Sequence, residues 1–219
     1  MPNGNILVIA WEYKSPEDAI AAGRDPSKVG EDGFWPDVVF EIEPVGTDQA
    51  RRVWQWSSWD HLAQDLDETK SNYMNVAENP QRIDINADHR DDPPMTEAAR
   101  KRQAELERQM RAAGYTGGDD EEEEEEGDDE DDGGRRGRRR SGDWLHTNSI
   151  DYHAQLDLIV LSVRSMNEIW IIDHSTTMEE AAGSKGGRYG KGGDLLYRWG
   201  NPQTYGAVSY THLTLPTRS

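Results

Sequence analysis

The chain has 219 residues, a formal charge of −19 and a hydrophobic fraction of 34%, and its mean hydropathy of −0.95 requires part of it to lie outside any core. The acidic excess repels polyanions, which excludes nucleic acid or an anionic membrane as partner of the whole chain, although a local cluster of cations can still hold a small anion. Cysteine is absent, so disulfides, thiolate metal sites and a cysteine nucleophile are excluded. No apolar run approaches the roughly 20 residues of a membrane-spanning helix, and no basic-then-apolar signal pattern follows Met1, so the compartment is not legible.

The elements begin with a tight-turn sequence, P-N-G-N at 2–5, leading into a strand over N-I-L-V-I-A-W. Ser15 is placed to cap a short helix with Pro16 at its first position and Gly23 beyond its end. Alternating patterns predict strands at 37–44 (D-V-V-F-E-I-E-P) and 51–57 (R-R-V-W-Q-W-S). Eight Trp and eight Tyr against two Phe fit short strands whose large aromatics fill a small core.

Residues 87–142 read as an insertion. Thr96 caps and Gly114 stops a run of strong helix formers, which predicts a solvated helix over about 96–113. An acidic block and then R-R-G-R-R-R follow; such like-charge runs cannot bury enough apolar surface to order themselves and are expected to be disordered.

From Asp143 the plan of the first block returns. D-L-I-V-L-S-V-R matches N-I-L-V-I-A-W-E, N-E-I-W-I-I-D-H matches D-V-V-F-E-I-E-P, and D-L-L-Y-R-W-G-N matches R-R-V-W-Q-W-S-S. A further strand over 144–152 precedes them. Short antiparallel strands repeated in fours predict an all-β fold, a partial β-propeller of about two four-stranded blades over 1–86 and 143–207, with a β-sandwich as the alternative. Propellers close with about four to eight blades, so the chain is expected to be a piece of a larger protein. Residues 208–219 match nothing in the repeat and resemble translated sequencing adapter.

Candidate chemistry concentrates at 143–175. On a strand over 144–152, His146 and Asn148 share one face, and Arg164 ends the next antiparallel strand, so three donors converge at one rim. Guanidinium, amide and imidazole together suit a tetrahedral oxyanion. The plainer alternative is that His146 and Asn148 satisfy loop backbone and Arg164 pairs with Asp151 or Glu168.

The motif W-x-H-x-N-S-x-D-Y, here Trp144, His146, Asn148, Ser149, Asp151 and Tyr152, followed by Ser162 and Arg164, resembles the bacterial arylsulfotransferase family. P-N-G-N, V-W-Q-W, W-D-H-L, I-D-H-S-T-T and G-G-D-L-L-Y-R-W-G-N-P are similar to a subgroup of it. The resemblance implies a six-bladed propeller that moves a sulfuryl group from an aryl sulfate to a phenol, without PAPS, through a sulfated histidine. It implies that His146, Asn148 and Arg164 bind and polarise the sulfuryl group, that His61 is a lesser substrate-binding candidate, and that no cofactor or metal takes part. The nucleophile is expected beyond this chain, so that residues 1–219 alone are inactive; His153, His174 and His212 are not given that role. The full-length protein would then be exported in the manner of related bacterial enzymes. A non-catalytic propeller that binds a partner, or an acidic interaction protein using the insertion, are the competing functions.

Overall fold

A computed structural model describes residues 1–87, 101–102, 105, 108–109 and 142–206. The chain divides into two compact units, one of Met1–Asp91 with Arg139–Ser219 and one of Asp92–Arg138. In the second unit, residues 101–102, 105 and 108–109 are helical, with Glu105 accepting from Gln109 (3.0 Å) and pairing with Arg108. The rest of the expected helix over 96–113, the charged tract and residues 208–219 lie outside the described residues.

The first unit is almost entirely β. A three-stranded antiparallel sheet runs in the order β1 (Ile6–Trp11), β2 (Asp37–Val45), β3 (Gln49–Ser57). A four-stranded antiparallel sheet runs β6 (Thr147–His153), β7 (Leu158–Val163), β8 (Glu168–Asp173), β9 (Tyr197–Gly200). Between them in sequence, β4 (Leu62–Ala63) and β5 (Ile83–Asp84) pair in parallel. Neither sheet closes into a barrel among the described residues.

Local signals explain the elements. The N-terminal turn closes through the Gly4 N–H to the Met1 carbonyl at 3.0 Å. Helix α1 (Pro16–Ala21) starts in a capping box between Ser15 and Asp18, with proline where no N–H is needed. Helix α2 (Met178–Ala181) repeats the device with Thr177 and Glu180. Along β7 every second residue, Ile159, Leu161 and Val163, is at most 1% exposed, the period of two that a half-buried strand requires.

The two sheets share one core. Val39, Trp54 and Trp56 of the first join Ile159, Leu161, Trp170 and Ile172 of the second, and each such side chain gains about 1.5–3 kcal/mol by leaving water. The indole N–H groups find partners across the junction: Trp54 Nε1 donates to Thr176 Oγ1 (3.1 Å) and Trp56 Nε1 to the Gly193 carbonyl (2.7 Å). Gly193 must be glycine, because a Cβ there would lie 2.0 Å from the Ala181 carbonyl oxygen.

A clasp joins the sheets beside that core. His174 Nδ1 lies 2.7 Å from Asp157 Oδ1 and its Nε2 lies 2.9 Å from Glu41 Oε2. A neutral imidazole has one N–H and satisfies one carboxylate; the doubly protonated ring satisfies both. Burial alone would push Glu41 up, but hydrogen bonds from Asn3, Asn5 and His174 outweigh it and hold the carboxyl below its ordinary range. Asp157 is likewise held down by His174 and Tyr152 against its burial, and the Tyr152 hydroxyl is pushed up to about 12 by burial and that carboxylate.

Candidate active site

The expected strand over 144–152 begins later, at Thr147. Asp143 is the reason. Its Oδ1 accepts the His146 N–H at 3.2 Å and its Oδ2 takes the His146 ring Nδ1, a local side-chain bond that competes with the ladder. The chain therefore turns at His146, whose φ is +50°, an unusual conformation for a non-glycine residue. Strand geometry resumes when the Thr147 N–H donates to Asp37 Oδ2 at 2.8 Å, an acceptor on the other sheet.

Asn148 corrects the expectation a second time. Thr147 pairs with Val163 and Ser149 with Ser162, so Asn148 is the extra residue of a β-bulge and does not share a strand face with His146. Bulges of this kind re-aim a side chain. Arg164 immediately follows β7, and its N–H donates to the His146 carbonyl at 3.4 Å. The three expected residues are thus neighbours at one end of the β6–β7 hairpin, brought there by a turn, a bulge and a strand end.

Their donors are largely unspent. Arg164 and Asn148 are exposed, and neither side chain makes a hydrogen bond or ion pair among the described residues. The partners proposed for Arg164 are engaged elsewhere: Asp151 Oδ1 accepts the Tyr152 N–H at 2.8 Å, and Glu168 is buried against Arg198 at 2.7 Å, with Trp170 and Thr204 donating to it as well. His146 is 41% exposed, and with Nδ1 held by Asp143 its Nε2 is the atom available outward. Asp143 fixes which nitrogen that is. Behind the rim, burial pushes the Asp37 carboxyl up and Asp143 adds to the rise, opposed by Thr147 and His146.

A family model described as Arylsulfotransferase (ASST) matches residues 1–188. The chain belongs to the arylsulfotransferase family. Membership brings sulfuryl transfer, with aryl sulfates and phenols as its substrates, at the level of the family. The match spans both sheets and the segment between them, so the turn, bulge and strand end at His146, Asn148 and Arg164 all lie inside the arylsulfotransferase region. No curated protein and no solved structure matches the chain.

The other histidines are placed differently. His61 is 0% exposed, with Nδ1 2.9 Å from Asp194 Oδ1, Nε2 2.8 Å from the Ala181 carbonyl, and its ring stacked on Trp56 at 5.6 Å. It is not brought to the rim of His146. Asp194, which also accepts from Arg82 at 2.8 Å, is held below its ordinary range by these partners despite burial. His153 Nδ1 accepts the Leu156 N–H at 3.3 Å, His174 forms the clasp, and His212 lies outside the described residues. Among the described residues no group of three or more His, Asp or Glu side chains is arranged to hold a metal ion, and no helix is long and apolar enough to cross a membrane.

The sequence reading missed Asp143 and Asp37. Asp143 carried a signal in hindsight, standing three residues before His146, the spacing at which an Asp side chain reaches a following N–H. Asp37 carried none, because it meets Thr147 across 110 residues.

Proposed function

We propose that the rim formed by His146, Asn148 and Arg164 binds and polarises a sulfuryl group passing from an aryl sulfate to a phenol, without PAPS. In this reading the two sheets are blades of a six-bladed propeller, the first contributing three strands and the second four. A histidine outside residues 1–219 attacks sulfur, the bond from sulfur to the aryl oxygen breaks, and the phenolate leaves. The acceptor phenol oxygen then displaces the histidine nitrogen, and the acceptor's proton passes to a base.

Negative charge builds on the leaving oxygen and the equatorial sulfuryl oxygens, so donors fixed there before reaction lower the barrier. Arg164 supplies a planar fork that can hold two oxygens. Asn148 adds an amide N–H directed by the bulge, and His146 presents Nε2 with its ring held by Asp143. What supports the reading is that, within the family's matched region, the Arg164 and Asn148 side chains have no hydrogen-bond or ion-pair partner among the described residues, while Asp143 holds His146 Nδ1 and leaves its Nε2 outward.

Calorimetric titration of residues 1–219 with 4-nitrophenyl sulfate tests the rim: binding is expected and Arg164→Ala is expected to abolish it. In an enzyme that contains the nucleophile, the same change should lower kcat for transfer to phenol by about 10²–10³-fold, the cost of losing one donor to the developing charge. Unaltered rates with Arg164→Ala would reject the site, and full turnover by residues 1–219 alone would reject an external nucleophile.

A further inference from the structure

Next to this rim the surface carries two tryptophans in contact. Trp11, at the end of β1, is 55% exposed, and its ring centroid lies 5.8 Å from that of Trp35 at an interplanar angle of 44°. Trp35 is partly buried beside it, and two indoles in contact present more continuous apolar face than the single exposed side chains that a protein surface ordinarily carries.

Their position follows from register. Trp11 pairs directly with Asp37, and directly opposed residues of an antiparallel pair present their side chains on the same face. Asp37 uses that face to accept the Thr147 N–H, beside His146. Trp35 approaches from the other side: its N–H donates to the Gly142 carbonyl at 2.7 Å, and it forms a bridge with Asp143, the residue that holds the His146 ring. Trp35 therefore contacts the residue that holds the His146 ring, and Trp11 pairs with the residue that anchors Thr147 next to it.

Trp35 is fixed in orientation. Its Nε1 donates to the Asp32 carbonyl at 2.9 Å, and its indole lies against the backbone of Gly142, where a Cβ would come within 2.6 Å of Nε1. Glycine at that position allows the ring to lie flat, and a ring held in advance loses little freedom when a ligand stacks on it.

We infer that Trp11 and Trp35 form the platform for the aromatic ring of the sulfate ester, beside the donors that hold its sulfuryl group. The inference rests on the sulfuryl-binding role proposed for His146, Asn148 and Arg164. It makes the site selective for aryl over alkyl sulfates through the ring and not through the sulfate. It also gives the two indoles a use on an otherwise strongly anionic chain: a flat ring carrying a single anionic group meets aromatic surface at one end and the Arg164 guanidinium with its neighbouring donors at the other.

The test compares 4-nitrophenyl sulfate with butyl sulfate by calorimetric titration of residues 1–219. Trp11→Ala and Trp35→Ala are expected to weaken the aryl ester roughly three- to tenfold and to leave the butyl ester unchanged, with Trp11→Phe recovering most of the aryl affinity. Arg164→Ala is expected to weaken both esters. Circular dichroism confirms that the surface Trp11 variants remain folded. Unchanged aryl affinity in Trp11→Ala, with both esters lost in Arg164→Ala, overturns the platform and keeps the sulfuryl site. Both esters unaffected by Arg164→Ala, or no binding of either to the unaltered chain, overturns the sulfuryl site and the platform with it.

Discussion

Replacing Arg198 by Met should be the most damaging single change in the two-sheet unit. Arg198 is 1% and Glu168 0% exposed, and the guanidinium donates twice to the carboxylate, at 2.8 Å from Nε and 2.8 Å from Nη2. It also reaches Thr204 Oγ1 at 3.0 Å and the Arg82 carbonyl at 3.2 Å, and it lies 4.3 Å from the centroid of Tyr205. Methionine fills similar space but leaves the Glu168 charge buried with the Trp170 and Thr204 donors alone. Stranding one member of a buried pair costs about 3–5 kcal/mol, against a typical total of about 5–15. For a unit of this size that corresponds to a fall of about 6–20 °C in Tm. Urea unfolding followed by tryptophan fluorescence measures the loss. The double change Arg198→Met with Glu168→Leu should recover most of it, because neither member of the pair then leaves an uncompensated charge. A loss under about 1 kcal/mol for Arg198→Met, or no recovery in the double variant, would refute the reasoning.

Two further outcomes follow from titratable groups. His174→Leu should cost about 2–3 kcal/mol at neutral pH, the scale of hydrogen bonds to charged groups, since Glu41 and Asp157 then face each other without the ring. Because both carboxyls are held below their ordinary range, their contribution is present above that range and is lost as pH falls through the lowered values. The variant should therefore lose less stability on acidification than the parent, and equal acid limbs would count against the clasp. Asp84 behaves in the opposite sense: burial, with Asp65 nearby, pushes its carboxyl up to about 6. Its folded form binds the proton more tightly, so it favours folding below about pH 4 and that advantage, about 3 kcal/mol, disappears as pH rises to 6. Asp84→Asn should flatten this slope in unfolding measured between pH 4 and 7, and an unchanged slope would place the titration elsewhere.

Strands were legible where turn signals bound an apolar run, as at β1, and where burying one face imposes a period of two, as along β7 and most of β8. The Ser15 cap and the Pro16 start of α1 were legible for the same reason of locality. The error at 144–152 arose where the motif is densest. An Asp side chain three residues upstream captured the His146 N–H, and an acceptor from the other sheet restarted the strand at Thr147, so neither alternation nor propensity could locate the turn. The bulge at Asn148 was equally hidden, because it is defined by what Val163 and Ser162 pair with.

The sequence by itself determined that this is a β-rich, anionic chain of an arylsulfotransferase kind, and which three residues stand out from the hydrophobic pattern. Only the tertiary structure decided how they meet. Among the described residues it left Arg164 unpaired with Asp151 or Glu168, and it placed His61 in the core against Asp194. It also brought Trp11, Trp35 and Asp37 to the same rim. Hydrophobic period and capping act over a few residues and are written locally, whereas Asp37 and Trp35 reach the rim through contacts with Thr147 and Gly142 more than a hundred residues away.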